Sequence, residues 1–231
     1  MNLSELKLEN GKKALFVFPH PDDEQAFATG LCLNMLKHGM KIKSICITKG
    51  EKSTLRYGLS ENANLGETRA EEYKNACAIL KLDDSIIYDY QDGGVNMQAD
   101  EMKQMLIQEI DSGQYDYIST FEPDGVYGHP DHIALSRIVT EIYKEKANFK
   151  LIYATVNGNF DPDQGSKDMA DDYSKIKPIK PNLTLKLSPR QMRLKGKALS
   201  AHKSQTSPHF RLRNLPQIVK FLRNEYHYIV E

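Results

Sequence analysis

Short, continuous apolar runs alternate along this chain with longer stretches whose apolar residues recur near helical spacing. The first run, at 14–18, is Ala-Leu-Phe-Val-Phe with no polar member. That is the pattern of a strand buried on both faces. Phe27, Leu31, Met35 and Leu36 then repeat at helical intervals, which predicts a helix over 24–37, ended by His38-Gly39. A second buried strand is predicted over 44–48. From 49 to 65 the chain is polar, with glycines and no periodicity, the signature of a long loop that often serves binding. A helix over 66–81 follows, with Ala70, Tyr73, Ala76, Cys77 and Leu80 on one face. Then come a strand over 85–88, a turn at Asp92-Gly93-Gly94, an amphipathic helix over 98–110 and a strand over 115–120. A helix over 133–144 and a strand over 151–154 continue the alternation. The stretch 157–181 is polar with scattered prolines and reads as an irregular insertion. Positions 183–187 alternate as an edge strand does. Pro189 opens a helix running to about 202, and a last helix covers 215–222. Strands alternating with helices imply an α/β protein, with a mostly parallel sheet and helices on both faces.

Composition narrows the function classes. The chain has 231 residues, enough for one large α/β domain spanning 1–231. Lys and Arg total 31, and Asp and Glu also total 31. This balance gives no electrostatic reason to expect nucleic acid or an anionic membrane as partner. Basic residues near the end of the chain (Arg211, Arg213, Lys220, Arg223) lie among acidic and apolar neighbours and read as a solvated helix face. Cys32, Cys46 and Cys77 each sit inside an apolar segment without a CxxC pairing, so buried thiols are expected rather than disulfides. Neither a signal peptide nor a membrane span is expected, and a cytoplasmic location follows.

The candidate chemistry lies in two clusters, Pro19-His20-Pro21-Asp22-Asp23-Glu24 and Gly128-His129-Pro130-Asp131-His132. Each sits where a strand-like run gives way to a helix-like one, the place where open α/β folds put their ligands. In a tight turn His20 and Asp23 can face one point while Asp22 projects beside it. Helix capping alone would need one acid and no histidine. In the second cluster Pro130 suits a first helical position, with His132 one turn inside the helix and able to supply a third ligand. His20, Asp23 and His132 make two nitrogens and one carboxylate, which leaves a fourth position open, as in catalytic zinc sites. Asp22 is then the candidate general base. His129 is the candidate to stabilise an oxyanion or protonate a leaving amine, with Asp131 orienting it.

These residues make the chain resemble the PIG-L/LmbE-like zinc-dependent de-N-acetylases, which remove acetyl groups from N-acetylglucosamine conjugates. The likeness continues through Gly66-Glu67-Thr68-Arg69-Ala70-Glu71-Glu72, Tyr90-Gln91-Asp92-Gly93-Gly94, Tyr127 and Ala201-His202-Lys203-Ser204-Gln205, covering roughly residues 12–206. The resemblance implies a Rossmann-like fold, with zinc (or another divalent metal such as Fe2+) on His20, Asp23 and His132. It makes Asp22 the base and His129 the polarising group, tuned by Asp131. It also places Arg69 and Asp92 on sugar hydroxyls and Tyr127 near the acetyl group. His202 and Gln205 read as structural. The loop after Lys49-Gly50-Glu51 and the 157–181 insertion depart from the family pattern and are candidates for the substrate rim. A homo-oligomer is compatible with the resemblance, although no heptad or self-complementary stripe shows one.

The expected activity is hydrolysis of the acetamide of an N-acetylglucosamine-type sugar or small conjugate to a free amine and acetate. The alternatives are a non-catalytic sugar- or nucleotide-binding Rossmann-like module, or a metal-dependent amidohydrolase on another N-acyl substrate. A nucleotide turn should read G-x-G-x-x-G, and here it carries three acids that would repel a pyrophosphate. A non-haem iron oxygenase also uses two histidines and a carboxylate, but its usual cupin-like setting is all-β.

Overall fold

A computed structural model of the chain describes residues 3–158, 160–206 and 215–231. Its described strands form one seven-stranded sheet of order β3-β2-β1-β4-β5-β7-β6. The strands are β1 (Lys13–Phe18), β2 (Lys41–Thr48), β3 (Asp84–Tyr90), β4 (Tyr117–Phe121), β5 (Lys150–Thr155), β6 (Leu183–Lys186) and β7 (Asn224–Ile229). β1 to β5 pair in parallel, and β7 runs antiparallel to both β5 and β6. The sheet is therefore mostly parallel, as expected, and β6 lies at its edge.

The fully apolar β1 is explained by its two faces. Phe16 and Phe18 join one core with Leu31 and Met35. Leu15 and Val17 join the other, with Met102, Leu106, Leu135 and Ile138. The first face carries α1 (Asp23–Phe27), α2 (Thr29–Lys37), α3 (Leu65–Leu80) and, farther along the chain, a helix over Pro189–Leu199. The second carries α4 (Ala99–Gly113) and a helix over Pro130–Lys146. Cys32, Cys46 and Cys77 are free and buried.

The structure differs from the expected elements in two instructive places. The helix expected over 24–37 breaks at Ala28, where φ is −136°. Glu225 from β7 accepts hydrogen bonds from Gly30 N at 2.7 Å and Leu31 N at 3.2 Å, so a distant carboxylate caps a new helix start there. β7 itself has no counterpart among the expected strands, because two of its inward-facing residues are Glu225 and His227. Residues 49–64 have no helix or strand, Leu65 already opening α3, and the described residues of 157–181 hold only short turns of helix. Of the basic residues near the end of the chain, Arg211 and Arg213 lie outside the described residues, while Lys220 and Arg223 are exposed. Among the described residues no helix is long and apolar enough to cross a membrane.

The topology sets the place of the chemistry. From β1 the chain winds outward through β2 to β3, then returns to β4 on the other side of β1. The segments leaving β1 and β4 diverge at this switch point and open a crevice at their carboxyl ends. Both histidine clusters lie there.

Candidate metal centre and active site

The first cluster is folded by its own backbone. Pro19 O accepts from Thr48 N at 2.9 Å and Thr48 Oγ1 at 3.0 Å, which fixes the turn to the end of β2. Asp22 then adopts φ 104°, ψ −24°, a conformation rare for a side chain with a Cβ. It precedes α1 but makes no side-chain cap, so helix capping does not account for its carboxylate. Asp23 Oδ2 accepts from His20 N at 2.9 Å. Glu24 turns the other way and is buried against Ser44 Oγ, Gln25 Nε2 at 2.5 Å and Cys77 Sγ at 3.4 Å; burial pushes its carboxyl up to about 8. The third acid of the motif thus ties α1 to β2 and α3.

The second cluster depends on a residue that the sequence reading missed. Glu122, at 0 % exposure, accepts from Asp124 N at 3.0 Å, Val126 N at 2.6 Å and Ile179 N at 3.3 Å. It holds Val126 at φ 68°, an outlier for a β-branched residue. The same turn presents Gly125 O to His132 Nδ1 at 3.2 Å. His132 Nδ1 therefore carries the hydrogen, and Nε2 keeps its lone pair. Phe121 stacks on the His132 ring with centroids 4.1 Å apart. Glu122 follows a strand and precedes a proline, so no local pattern marks it.

His20 Nδ1, His132 Nε2 and Asp23 Oδ2 form a triangle. Its edges are 3.3 Å between the two histidines, 3.3 Å from His20 to Asp23 and 3.5 Å from His132 to Asp23. Tetrahedral bonds of about 2.0–2.1 Å place ligand atoms about 3.3–3.4 Å apart, so the triangle has the size of one face of a zinc site. The far nitrogen of His20, Nε2, lies 3.2 Å from Asp92 Oδ1 and 3.3 Å from Asp131 Oδ2. A hydrogen on Nε2 satisfies those carboxylates and leaves Nδ1 bare. Two bare nitrogens and a carboxylate oxygen then converge in a buried space. That arrangement is repulsive unless a proton on Nδ1 or a metal ion sits between them, and the donors fit a divalent metal. Other donor sets that could hold a metal also involve His20: one with His129 and His132, one with Asp92 and Asp131. In the first, His129 Nδ1 is occupied by Asp131 N at 3.1 Å. In the second, the carboxylates already accept from Lys52 N, Gly93 N and Val95 N.

Charge follows this geometry. Burial alone would raise Asp23, but His132 and His20 outweigh it and hold the carboxyl at about 2. Burial lowers His132 to about 3 against the pull of Asp23. Burial also opposes a charge on His20, yet hydrogen bonds to Asp131, Asp23 and Asp92 carry it well above the usual range. Metal binding at Nδ1 would compete with that proton. Asp22 is raised to about 6 by burial, partly countered by Arg69, whose Nη2 lies 3.5 Å from Asp22 Oδ2. Burial and the charge of His20 lower His129 to about 4.

The remaining expected site residues gather around this triangle. His129 stacks on His132 at 4.7 Å and meets His20 edge-on at 4.6 Å. Tyr127 packs edge-on to both His132 and His129, at 5.1 and 6.2 Å. Arg69 is buried and donates to Gly50 O at 2.8 Å and Pro21 O at 2.7 Å. Asp92 has one oxygen on His20 and the other on Lys52 N at 2.9 Å. Asp131 meets His129 through its backbone amide. Its carboxylate goes to His20, Gly93 N at 2.7 Å and Val95 N at 3.2 Å. His202 is buried beneath the site, held neutral by its burial and the nearby charge of Arg69.

Known proteins are similar to this chain in sequence and in fold. A 1D-myo-inositol 2-acetamido-2-deoxy-alpha-D-glucopyranoside deacetylase of Actinosynnema mirum is 25% identical over 182 residues, 69% of this chain and 64% of its own length. A probable N-acetyl-alpha-D-glucosaminyl L-malate deacetylase 2 of Bacillus subtilis is 27% identical over 198 residues, 83% of this chain and 82% of its own. Several curated relatives extend well beyond the match; the chain spans about half the length of one from Dictyostelium discoideum, 51%. Among solved structures, N,N'-diacetylchitobiose deacetylase from Pyrococcus horikoshii superposes with a TM-score of 0.70 at 20% identity, covering 98% of this chain and 88% of that one. The model of the GlcNAc-PI de-N-acetylase family, PIG-L, matches residues 15–143. That span is more than half of the chain and contains both histidine clusters, and the chain belongs to the PIG-L family.

Proposed function

We propose that this protein is a zinc-dependent de-N-acetylase that hydrolyses the acetamide of an N-acetylglucosamine-type sugar or small conjugate. The observation that carries this reading is the His20–Asp23–His132 triangle with the Asp22 carboxylate beside it and outside it. The names of the two sequence relatives from Actinosynnema mirum and Bacillus subtilis, both deacetylases of amino-sugar compounds, support the substrate class. Zinc held by His20, Asp23 and His132 would acidify a water molecule and polarise the acetyl carbonyl.

The protein's own groups would do the rest. Asp22, at about 6, is ionised at neutral pH yet basic enough to take a proton from the attacking water. His129 accepts from Asp131 N at Nδ1, so its hydrogen sits on Nε2 and can be donated to the developing oxyanion. Held near 4, His129 is neutral, which leaves protonated Asp22 as the source of the proton for the leaving amine. The C–O bond to water forms, the C–N bond breaks, and acetate and amine depart. Asp131 and Asp92 keep His20 in the tautomer that exposes Nδ1. Arg69 holds Asp22 in its strained turn through Pro21 O, and Tyr127, edge-on to His132, would lie near the acetyl group.

Three free buried thiols suit a reducing compartment, which supports a cytoplasmic enzyme. The test is acetate release from N-acetylated sugars and their inositol, malate and glycan conjugates, with metal-loaded and chelated protein. Release that requires metal supports the reading. Full metal loading without release from any amino sugar would overturn it.

A further inference from the structure

The 49–64 loop lacks regular structure, yet its first part is fastened at both flanks. On the side of the site, Gly50 O accepts from Arg69 Nη1 at 2.8 Å, Lys52 N donates to Asp92 Oδ2 at 2.9 Å, and Asp92 N donates to Glu51 Oε1 at 3.0 Å. On the other side the fastenings come from the segment after Pro189–Leu199. Ser53 Oγ donates to Gln205 Oε1 at 2.7 Å, Gln205 Nε2 donates to Leu55 O at 3.0 Å, and Tyr57 N donates to Ser204 O at 3.0 Å. Ser204 is fully buried and reaches in the opposite direction as well. Its N and Oγ donate to the two oxygens of Glu72 at 2.8 and 2.7 Å. Glu72 lies one turn beyond Arg69 on α3. One short segment therefore holds both the loop and the helix that carries Arg69. The loop it holds displays large apolar side chains, Leu55 at 41 % and Tyr57 at 38 % exposure.

We propose that Ser204 and Gln205 are positioning residues of the substrate site, which pre-order residues 50–57 and thereby keep Arg69 and Asp92 in place for the incoming ligand. The inference rests on the de-N-acetylase reading for its kinetic consequence only. A polar loop of this length would otherwise lose conformational freedom each time substrate bound, and fixing it beforehand removes that cost from binding. Arg69 also reaches Pro21 O and Asp92 also reaches His20 Nε2, through bonds that the 50–57 loop does not make, so loosening the loop should cost affinity before it costs the chemical step.

The experiment uses the full-length, metal-loaded protein and Gln205→Ala. Hydrogen exchange of the 50–57 amides should accelerate roughly tenfold or more, with β1 and β4 unchanged. KM for the cleaved amino sugar should rise about tenfold while kcat stays within about threefold and metal content is unchanged. Ser53→Ala removes the loop's half of the bond to Gln205 and also the acceptor of Leu55 N at 3.2 Å, and should shift both readouts in the same direction. The double variant should fall short of the sum of the two single effects, because the residues share the Ser53–Gln205 bond. Ser53→Ala also carries the test should Gln205→Ala not fold. Wild-type exchange rates in the loop, or a fall in kcat with KM unchanged, would overturn the proposal. Wild-type protein that releases no acetate overturns the deacetylase reading instead, and the exchange measurement then decides the anchor on its own.

Discussion

Asp22→Asn is the sharpest test of the site, because the structure separates this carboxylate from the residues that would bind metal. Asp22 stands at φ 104°, where asparagine is among the few residues tolerated and alanine would be strained. The substitution therefore preserves the turn and removes only the ability to take a proton. Asp22 supplies none of the triangle's edges, so metal content should stay at the wild-type level. Loss of a general base typically costs about 10²–10⁴ in rate, or about 3–5 kcal/mol of barrier. The pH profile gives a second, independent reading. With a carboxyl near 6, wild-type kcat/KM should fall as pH drops through about 6, approaching tenfold per unit below it, because the base becomes protonated. Asp22→Asn should lack that acid limb. Acetate release measured from pH 4.5 to 8, with metal quantified in each sample, checks both. A metal-loaded Asp22→Asn enzyme within threefold of wild type, or one that keeps the acid limb, would refute the role of Asp22.

Other expected outcomes follow from the same geometry. His132→Ala removes one corner of the triangle and should lose most of the bound metal; equal metal by elemental analysis in variant and wild type would exclude His132 as a ligand. Glu122→Ala releases the turn that orients His132 and should weaken metal binding about 10–100-fold with the ligands intact, measured by competition with a chromophoric chelator. Burial would raise Glu225, but Lys195 and His227 outweigh it and hold the carboxyl at about 2, below its ordinary 4.5. Its contribution is complete above pH 4.5 and lost as pH falls toward 2, worth about 3 kcal/mol, so denaturant unfolding of Lys195→Met should lose much of the wild type's stability advantage at neutral pH and little of it near pH 2. An acetyl-lysine peptide should be a poor substrate beside N-acetylglucosamine conjugates; the opposite preference would move the proposed substrate class.

What could be read from the sequence was whatever local pattern encodes. The unbroken apolar run before His20 reports a strand buried on both faces, and the structure shows Phe16 and Leu15 in opposite cores. The two clusters could be placed at strand ends, and the switch point brings those ends together. The features that escaped depend on partners far along the chain. The break at Ala28 is capped by Glu225, 195 residues from Gly30. β7 hides because its inward side holds an ion pair and a histidine where an alternating pattern would put hydrophobes. Asp131 gave a misleading local signal: two residues from His129, its carboxylate reaches His20 instead, because the Gly93 and Val95 amides draw it there.

The four aspartates around His20 divide by what holds them. Asp23 accepts from His20 N, Asp92 from Lys52 N, and Asp131 from Gly93 N and Val95 N. Burial opposes their charge, but His132 and His20 at Asp23, and His20 at Asp92 and Asp131, outweigh it with the backbone amides adding to the effect, and all three carboxyls lie below their ordinary range. Those amides come from the segments that follow β1, β2 and β3, so the carboxyl ends of the parallel strands assist the histidines in keeping these acids ionised. Among the described residues Asp22 is the exception: no backbone N–H reaches its carboxylate, Arg69 approaches only to 3.5 Å, and its carboxyl is raised rather than lowered. Three charged aspartates converge on His20, and once its Nδ1 gives up a proton they leave a surplus of negative charge that a divalent cation would balance. The fourth is free to gain and lose a proton at neutral pH. The two histidines and the backbone amides thus sort four chemically identical side chains into three that hold charge in place and one suited to moving a proton.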